Sequence, residues 1–381
     1  MSTLKDLIFV IPIIVVLTIS ITGALAWPEP IKAAYYPSWS EDFPPSAIDT
    51  TLFTHIFYAF LSPNNATYRF DISDSTAKLL SNFTATLHWK TPGVKTLLAF
   101  GGANNDRKLY ARMVAGAVTR GMFINSAIEV AREYGFDGVD LDWEYPESSE
   151  DMENLGKLFQ EWRQAILEEA KLTRRSPLLL TAAVYFSPEF LWGGNGNGNY
   201  RKYPVESIAE NLDWINAMCY DYHGSWEPNV TGSHALLYDH SSNISTSYGL
   251  KSWIGAGLPR TKLVMGLPQY GKTWQLKDPN VNGIGAPAVA AGPVEGVLTY
   301  RQLVSSNADN GATEVYDQET VSTYSYGGSL WIGYDDARST AEKLRYGKEL
   351  RIGGYFFWAL SFDDSEWKLS RLASGTWSEY Y

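Results

Sequence analysis

Three acidic residues at alternate positions are the strongest sign of chemistry in this chain. Asp140, Asp142 and Glu144 lie within the stretch 136–146, with apolar residues between them. Because the side chains of a β-strand alternate between its two faces, the three acids share one face, about 7 Å from one to the next. Carboxylates held this close repel one another when ionised, so their pKa values separate. Separated pKa values permit acid–base catalysis.

The residues around the acids favour a buried strand. The alternative is an exposed edge strand with a solvated acidic face, but Gly, Val, Leu and Trp in the stretch favour burial. Barrel enzymes hold their catalytic residues at the C-terminal ends of the barrel strands. We therefore expect the acids at such an end. Glu144 is nearest the open end, where poor solvation and acidic neighbours keep a carboxyl group neutral, so it is the predicted general acid.

The elements that must position these acids alternate between strands and helices. Helical spacing at 121–134 and 152–171 flanks the acidic stretch. Such alternation predicts a parallel sheet closed as a (β/α)8 TIM barrel. The eight predicted strands are 31–36, 54–61, 95–100, the acidic stretch, 178–185, 212–220, 262–269 and 353–361.

The seventh and eighth predicted strands are too far apart in the sequence for a single connecting helix. We expect a small α+β insertion between them, at about 271–336, within a barrel domain that spans 27–381. A glycine- and asparagine-rich loop at 193–199 follows the fifth strand and is expected on the catalytic rim. The β-rich and helical runs predicted after the seventh strand are 300–305, 315–326, 329–334 and 337–350.

The run D-G-V-D-L-D-W-E-Y, residues 137–145, resembles the D-x-x-D-x-D-x-E signature of glycoside hydrolase family 18, the chitinase family. The resemblance covers nearly the whole chain after residue 26 and is closest to the plant class V chitinases, including members of the Nod factor hydrolase type. It implies a substrate-assisted mechanism, in which the acetamide of the sugar attacks the anomeric carbon. It also implies that Asp142 orients the acetamide nitrogen and that Asp140 shares a proton with Asp142. Asp137 is expected to brace the strand's loop.

The resemblance extends to residues at the ends of other strands. In the segment M-C-Y-D, Tyr220 corresponds to the tyrosine that donates a hydrogen bond to the acetamide carbonyl, which makes it the fourth predicted catalytic residue. Trp358 corresponds to the tryptophan that floors the cleavage subsite, and Tyr35 is the candidate to hold Asp140, since Ala99 replaces a serine found in many relatives. The remaining predicted substrate contacts are Gly101, Gly102, Ala103, Asn104, Tyr145, Met218, Asp221, Gln269 and Tyr270, and the candidate outer sugar platforms are Trp39, Trp192, Trp226 and Trp274.

The amino terminus resembles a secretory signal peptide. Residues 1–26 contain an apolar run after Lys5 and end in Ala-Leu-Ala, a cleavage-site pattern. An uncleaved membrane anchor is the alternative. Cleavage predicts a protein exported to the apoplast, with the vacuole as the other destination, and without stable membrane association. Four sequons predict N-glycosylation at Asn65, Asn82, Asn229 and Asn243.

Charge and composition argue against several classes of partner and cofactor. The formal net charge is −11 and no basic cluster occurs, so nucleic acid is not an expected partner. The five histidines show no short ligand spacing, so neither a metal nor another cofactor is expected. The single Cys219 permits no intramolecular disulfide and excludes a cysteine-rich chitin-binding module. We expect a monomer.

Two functions remain open at this point. The first is a secreted, retaining endo-hydrolase of β-1,4-linked N-acetylglucosamine polymers, acting on chitin, on chito-oligosaccharides or on lipo-chitooligosaccharides such as Nod factors. Soluble oligomers are favoured over insoluble chitin because no separate binding module is present, and the 193–199 loop is expected to affect the choice. The second is a lectin or storage protein on the same barrel. The retention of Asp140, Asp142 and Glu144 favours the enzyme.

Overall fold

The computed structural model describes residues 29–192 and 199–378, apart from the side chains of Trp192 and Asn199. The predicted signal segment 1–26 and nearly all of the 193–199 loop therefore lie outside the described residues. Within the described ranges, no helix has both the length and the apolar character needed to cross a bilayer.

Eight strands form a closed barrel in the order β1-β16-β9-β8-β5-β4-β3-β2. All pairs in the barrel are parallel, which confirms the predicted TIM barrel. The strands in the described ranges are β1 Ile31–Pro37, β2 His55–Leu61, β3 Lys95–Gly101, β4 Gly138–Asp142, β5 Leu179–Tyr185, β6 Glu189–Trp192, β7 Asn199–Lys202, β8 Trp214–Met218, β9 Leu263–Pro268, β10 Tyr270–Leu276, β11 Ala288–Ala291, β12 Val297–Thr299, β13 Thr313–Asp317, β14 Ser322–Gly327, β15 Leu330–Tyr334 and β16 Gly354–Trp358.

Helices connect most of the barrel strands and cover the outside of the barrel. The longest, α4, begins with a capping box in which Ser148 and Asp151 satisfy each other's backbone N–H groups. Its apolar face includes Trp162, which packs edge-on against Phe123 of α3. The helices are α1 Asp74–Lys90, α2 Arg107–Ala115, α3 Ala117–Glu133, α4 Ser149–Thr173, α5 Val205–Asn211, α6 Thr246–Gly255, the single turn α7 Pro293–Gly296, α8 Tyr300–Asp309, α9 Ala337–Leu350 and α10 Lys368–Ser378.

The chain between β9 and β16 forms a second, antiparallel sheet. Its strand order is β11-β10-β15-β14-β13, with β12 paired to β10. The predicted β-rich run 315–326 contains two strands, because β13 and β14 form a hairpin with Val321 in a left-handed conformation in its turn. Trp274 and Trp331 pack together in a separate small core of this sheet. Trp274 is fully buried there, so it cannot be the outer sugar platform that the sequence suggested.

The hairpin β6–β7 was not predicted. Its two strands have four residues each and pair antiparallel beside the barrel mouth. Strands this short give little periodicity, and the glycine-rich sequence between them obscured the rest.

Asp137 fastens the lower end of β4 to β3. One carboxylate oxygen is 3.0 Å from Lys95 Nζ, and the other accepts the backbone N–H of Thr96 at 2.9 Å and lies 3.0 Å from His88 Nε2. Burial alone would raise the pKa of Asp137, but these donors lower it to about 2. The expectation that Asp137 braces the strand is confirmed, and it lies at the opposite end of β4 from the open barrel mouth.

Replacement Asp137→Asn is expected to destabilise the fold by about 2 kcal/mol at pH 7, because a carboxylate with a lowered pKa stabilises the folded state above its unfolded pKa. That stabilisation is lost as the pH falls from about 4 through about 2, so the variant and the wild type should converge there. Urea unfolding at pH 7 and at pH 2.5 measures the difference. Asp309→Asn, an exposed change on α8, is the control. Equal free energies of unfolding for Asp137→Asn and wild type at pH 7 would contradict the assignment.

Candidate active site

The acidic strand β4 occupies the barrel between β3 and β5. Asp140 lies beside Ala99 on one neighbour and Thr181 on the other, and Asp142 lies beside Gly101 and Ala183. Alternation along the strand directs both acids into the barrel and places Val139 and Leu141 in the hydrophobic core outside it. β4 ends at Asp142, so Glu144 stands two residues beyond the strand, at the open mouth.

The deepest acid, Asp140, is held by two hydroxyl groups. Tyr35 donates to Oδ2 at 2.8 Å and Thr181 donates to Oδ1 at 2.6 Å. Burial raises the pKa of Asp140 to about 6, although both donors act to lower it. The prediction that Tyr35 holds Asp140 is confirmed. The expected proton sharing with Asp142 is not seen as a hydrogen bond among the described residues, because both oxygens of Asp140 face these other donors.

Asp142 lies above Asp140 and is 4% exposed. Its Oδ1 has no hydrogen-bond partner within the described part of the chain. Burial, the charge of Glu144 and the charge of Asp140 together raise the pKa of Asp142 well above its usual value. A buried carboxyl oxygen without a protein partner is costly unless a ligand supplies one, so this atom is a candidate contact for substrate.

Glu144 has the pKa that a general acid needs. Burial and the negative charge of Asp221 raise the pKa of Glu144 to about 7, against opposing effects of a hydrogen bond with Tyr145 and of the Arg107 charge. A carboxylic acid with this pKa is substantially protonated near neutral pH and can still release its proton.

Asp221 faces the same cavity but stays ionised. Tyr270 donates to its Oδ1 at 2.7 Å, and Lys272 Nζ lies 2.9 Å from that oxygen. Partial burial acts to raise the pKa of Asp221, but His234, Lys272 and Tyr270 lower it overall. Lys272 also lies over the rings of Trp226 and Tyr270, each centroid 5.3 Å away. The cavity therefore holds carboxyl groups with raised pKa values beside one, Asp221, whose pKa is lowered.

The acids open into a cavity of about 490 Å³ at the barrel mouth. Trp358 and Phe60 stack at 5.7 Å in its wall, and Trp39 packs beside both of them. Such flat aromatic faces suit the apolar side of a pyranose ring. The lining residues are Tyr35, Trp39, Phe60, Ser62, Gly101, Gly102, Ala103, Asn104, Asn105, Asp142, Glu144, Ala183, Met218, Tyr220, Asp221, Tyr270, Phe356 and Trp358.

Thirteen predicted catalytic, contact or platform residues are thus brought together in one cavity, and a few are placed elsewhere. Gln269 is fully buried and donates to Asp363 and Ser370, so the structure does not support its prediction as a substrate contact. Tyr145 is packed against the rings of Tyr185 and Phe190 behind the acid, so it is not in the cavity wall. Gln269 was assigned from the resemblance alone, and it lies between β9 and β10, where strand alternation does not fix the direction of a side chain.

The two glycines at the end of β3 are required by close contacts with neighbouring strands. Gly101 and Gly102 have φ values of 116° and 92°. A Cβ atom on Gly101 would lie 1.9 Å from the carbonyl oxygen of Asp142, and one on Gly102 would lie 2.5 Å from the Phe60 ring. The resemblance suggested that they let the backbone approach the sugar, and the contacts show that Gly101 also lets β3 approach β4 and that Gly102 leaves room for Phe60 of β2.

Several functional residues escaped the sequence reasoning. Thr181, Phe60 and Phe356 contact the acids or line the cavity, and none was singled out. Thr181 could have been found, because an inward hydroxyl beside an inward acid follows from parallel register once the strands are aligned. Trp39 and Trp226 are both 57% exposed, as outer sugar platforms must be, and Trp39 lines the cavity.

No group of three or more His, Cys, Asp or Glu side chains suited to a metal ion occurs in residues 29–192 and 199–378.

A closed parallel barrel that holds a neutral carboxyl group over an aromatic cleft is the arrangement with which enzymes break glycosidic bonds by acid catalysis. The fold and the site therefore define a glycoside hydrolase.

The sequence profile described as "Glycosyl hydrolases family 18" matches residues 32–363, and the chain belongs to that family. It is similar to "Nod factor hydrolase protein 1" of Medicago truncatula, with 51% identity over 354 residues that cover 91% of this chain and 90% of that protein. A mutant class V chitinase from Nicotiana tobaccum, solved in complex with NAG4, is 41% identical with a TM-score of 0.86, and the match covers 93% of this chain and 100% of that one. A chitinase-like agglutinin from Robinia pseudoacacia is 37% identical with a TM-score of 0.83 and covers 91% of this chain and 100% of its own.

Proposed function

We propose that this protein is a retaining endo-chitinase that hydrolyses β-1,4 linkages between N-acetylglucosamine units with assistance from the substrate's own acetamide. The observation that carries the proposal is the placement of Glu144 at the mouth above Asp142, whose Oδ1 has no hydrogen-bond partner among the residues that the structure describes. Relatives named chitinase and Nod factor hydrolase, and a related structure that holds NAG4, support this substrate class.

In the first step, Glu144 gives its proton to the glycosidic oxygen as the bond from that oxygen to the anomeric carbon breaks. The acetamide carbonyl oxygen of the same sugar attacks that carbon from the opposite face and forms an oxazolinium ion. In the second step, the Glu144 carboxylate removes a proton from water, whose oxygen attacks the anomeric carbon and opens the ring. Two inversions at one carbon leave the configuration retained.

Asp142 and Tyr220 are placed to hold the acetamide. Asp142 accepts the acetamide N–H at its unpartnered oxygen, and its negative charge stabilises the oxazolinium. Tyr220 donates its phenol O–H to the carbonyl oxygen and fixes it in a near-attack position. Both side chains line the same cavity, where Trp358 provides the floor for the ring.

The preferred substrates are proposed to be soluble chito-oligosaccharides, with lipo-chitooligosaccharides as further candidates. A lectin or storage role is the second candidate, favoured by the similarity to the Robinia agglutinin. The intact set of Asp140, Asp142 and Glu144 argues against it, because a sugar-binding protein has no need for buried carboxyl groups with raised pKa values.

Incubation with a fully acetylated pentamer and with a lipid-bearing pentamer tests the proposal. We expect retained β-configured products from internal cleavage of the plain pentamer, detected by chromatography and by NMR of the nascent reducing ends. The ratio of the two rates assigns the preferred substrate. Tight binding of the pentamer with no cleavage over days would favour the lectin instead.

Secretion is part of the same proposal. The four sequon asparagines Asn65, Asn82, Asn229 and Asn243 are all exposed, which supports glycosylation during export. Amino-terminal sequencing of protein recovered from a plant host should begin at Trp27 if the segment 1–26 is cleaved.

Removal of the charge of Asp221 is expected to shift the pH profile of hydrolysis. The acid form of Glu144 is needed, so activity falls as the pH rises through the pKa of about 7. The negative charge of Asp221 raises that pKa, so Asp221→Asn should lower it and move the basic limb of kcat/KM down by about one pH unit. Glu227→Gln, a similar charge change on the same loop, is the control. An unmoved basic limb in Asp221→Asn would contradict the electrostatic coupling.

A further inference from the structure

A chain of hydrogen bonds crosses the barrel interior beneath the catalytic carboxyl groups. Trp214 Nε1 donates to Asn216 Oδ1 at 3.0 Å, and Asn216 Nδ2 donates to the Tyr35 hydroxyl oxygen at 2.9 Å. Tyr35 then donates to Asp140 Oδ2 at 2.8 Å, and Thr181 donates to the other oxygen of Asp140 at 2.6 Å. All five side chains are at most 4% exposed.

The direction of this chain is fixed at its first member. An indole N–H can only donate, so it requires the oxygen of the Asn216 amide to face it. The amide NH₂ must then face Tyr35 and donate to the phenol oxygen. Because this NH₂ group cannot accept a hydrogen bond, Tyr35 directs its own O–H toward Asp140 instead. Trp214, which is remote from the sugar cavity lining, thus determines which way the last hydrogen bond runs.

This direction penalises the neutral form of Asp140. A protonated carboxyl group would have to direct its own O–H at a neighbour, but Tyr35 is already a donor to it and already accepts from Asn216. The Thr181 hydroxyl could accept that O–H only by turning its own proton to the carbonyl oxygen of Val139, 3.4 Å away, in exchange for the 2.6 Å hydrogen bond it makes to Asp140. Buried groups cannot turn to water for another partner, so the mismatch would cost a hydrogen bond. Asp140 is therefore favoured as an ionised acceptor.

We propose that Trp214 and Asn216 are positioning residues that fix the Tyr35 hydroxyl as a donor to Asp140, so that the proton of the acidic set resides on Glu144 and not on Asp140. The proposal rests on the proposed function, since it concerns the protonation state needed for that reaction. Thr181 acts in the same sense from β5, opposite Ala99, where the resemblance places a serine in many relatives.

Few other groups that titrate face Asp140. The inward residues from β2, β3, β9 and β16 are Phe57, Ala99, Gly266 and Phe356, which do not titrate. Among the described residues, the ionisable side chains near this end of the barrel include Tyr35, Tyr110, Asp142, Glu144, Tyr145, Tyr203, Tyr220, Asp221, His234 and Tyr270, with Arg107 and Lys272 as cations, while His55 packs against Trp214 at the lower end.

The test compares kcat/KM against pH for three variants on a soluble chito-oligosaccharide. Trp214→Phe keeps a ring but removes the indole donor, so the Asn216 amide is free to flip. Tyr35 can then donate to the amide oxygen, and Asp140 loses this hydrogen bond. Asn216→Leu frees the Tyr35 oxygen to accept from a protonated Asp140. Thr181→Val removes the second donor. Each change should make Asp140 easier to protonate and move the acidic limb up by about one pH unit.

A second change separates proton placement from packing. In the Thr181→Val background, Ala99→Ser offers Asp140 a hydroxyl from the strand on its other side and should move the acidic limb back toward the wild-type position. Ile215→Val, on the same strand as Trp214 and Asn216 but facing outward, should alter stability without moving the limb.

An activity-independent measurement keeps the two proposals distinct. Infrared pH-difference spectra, with the Asp140 band assigned by its absence in Asp140→Asn, should show protonation of this carboxyl at higher pH in Asn216→Leu and Trp214→Phe than in wild type. Unshifted infrared titrations and acidic limbs in both variants overturn the positioning role. If the wild type cleaves no oligosaccharide but the two variants still show the infrared shift, the proposed function is wrong and the role of the hydrogen-bond chain is supported.

Discussion

Replacement of Glu144 by glutamine is expected to lower kcat for chito-oligosaccharide hydrolysis by about a thousandfold while leaving oligosaccharide binding within a few-fold of wild type. Loss of a positioned general acid typically costs 10²–10⁴-fold. The amide has nearly the shape of the acid, but it has no proton to give to the leaving oxygen. Initial rates by chromatography and binding by calorimetry on the same preparation measure both parts.

The matched control for this experiment is Glu150→Gln. Glu150 is an exposed acid in the first turn of α4, six residues after Glu144, so its replacement makes the same change of side chain at the surface, away from the cavity. Its kcat should equal that of wild type. Equal rates for Glu144→Gln and wild type would remove the assignment of the acid, and with it the catalytic account of the cavity.

Replacement of Asp142 by asparagine is expected to reduce kcat by about 10²–10³-fold. Removal of one electrostatic partner of a charge that develops in the transition state costs this much in other enzymes. The asparagine cannot offer a negative charge to the oxazolinium. The change also removes a negative charge beside Glu144. Because a negative neighbour raises the pKa of an acid, the basic limb of the pH profile should move to lower pH. Steady-state rates across the pH range measure both effects.

Asp137→Asn provides the control for this second change within the same motif. Asp137 lies at the far end of β4 among Lys95, His88 and Thr96, so its replacement should lower stability and leave kcat unchanged. A kcat for Asp142→Asn within threefold of wild type would show that the acetamide is held without this carboxylate, and the substrate-assisted step would need another partner.

Strand and helix periodicity made the barrel predictable. The eight barrel strands are apolar runs that stand out from the helical stretches between them, and all eight were found within a few residues. The hairpin β6–β7 was missed, and the turn between β13 and β14 was not located within the predicted β-rich run, because strands of four to six residues with polar faces carry little pattern.

The candidate site was predictable where spacing along one strand was enough. Asp140 and Asp142 share a face of β4 because side chains alternate, and Glu144 follows at the open end. The motif resemblance then added Tyr220 and Trp358, which line the same cavity.

The residues that sequence reasoning missed or misplaced depend on register between strands that are distant in the chain. Thr181 reaches Asp140 because β5 aligns with β4, and Gln269 is directed at Asp363 and Ser370 instead of at the cavity. Neither relation has a local signal. Trp274 illustrates the same limit, since an aromatic residue is equally suited to a sugar platform and to a core.

The amino-acid sequence by itself determined the barrel, the order of the acids along β4 and the family, because these follow from periodicity and from fixed offsets within a few residues. Tertiary structure alone decided the pKa values of the acids and the direction of the hydrogen bonds beneath them. Burial and neighbouring charge raise the pKa of Glu144 to about 7, and the charge of Asp221 reaches it from a segment 77 positions further along the chain. Such effects depend on distances in space, which only the closed barrel defines.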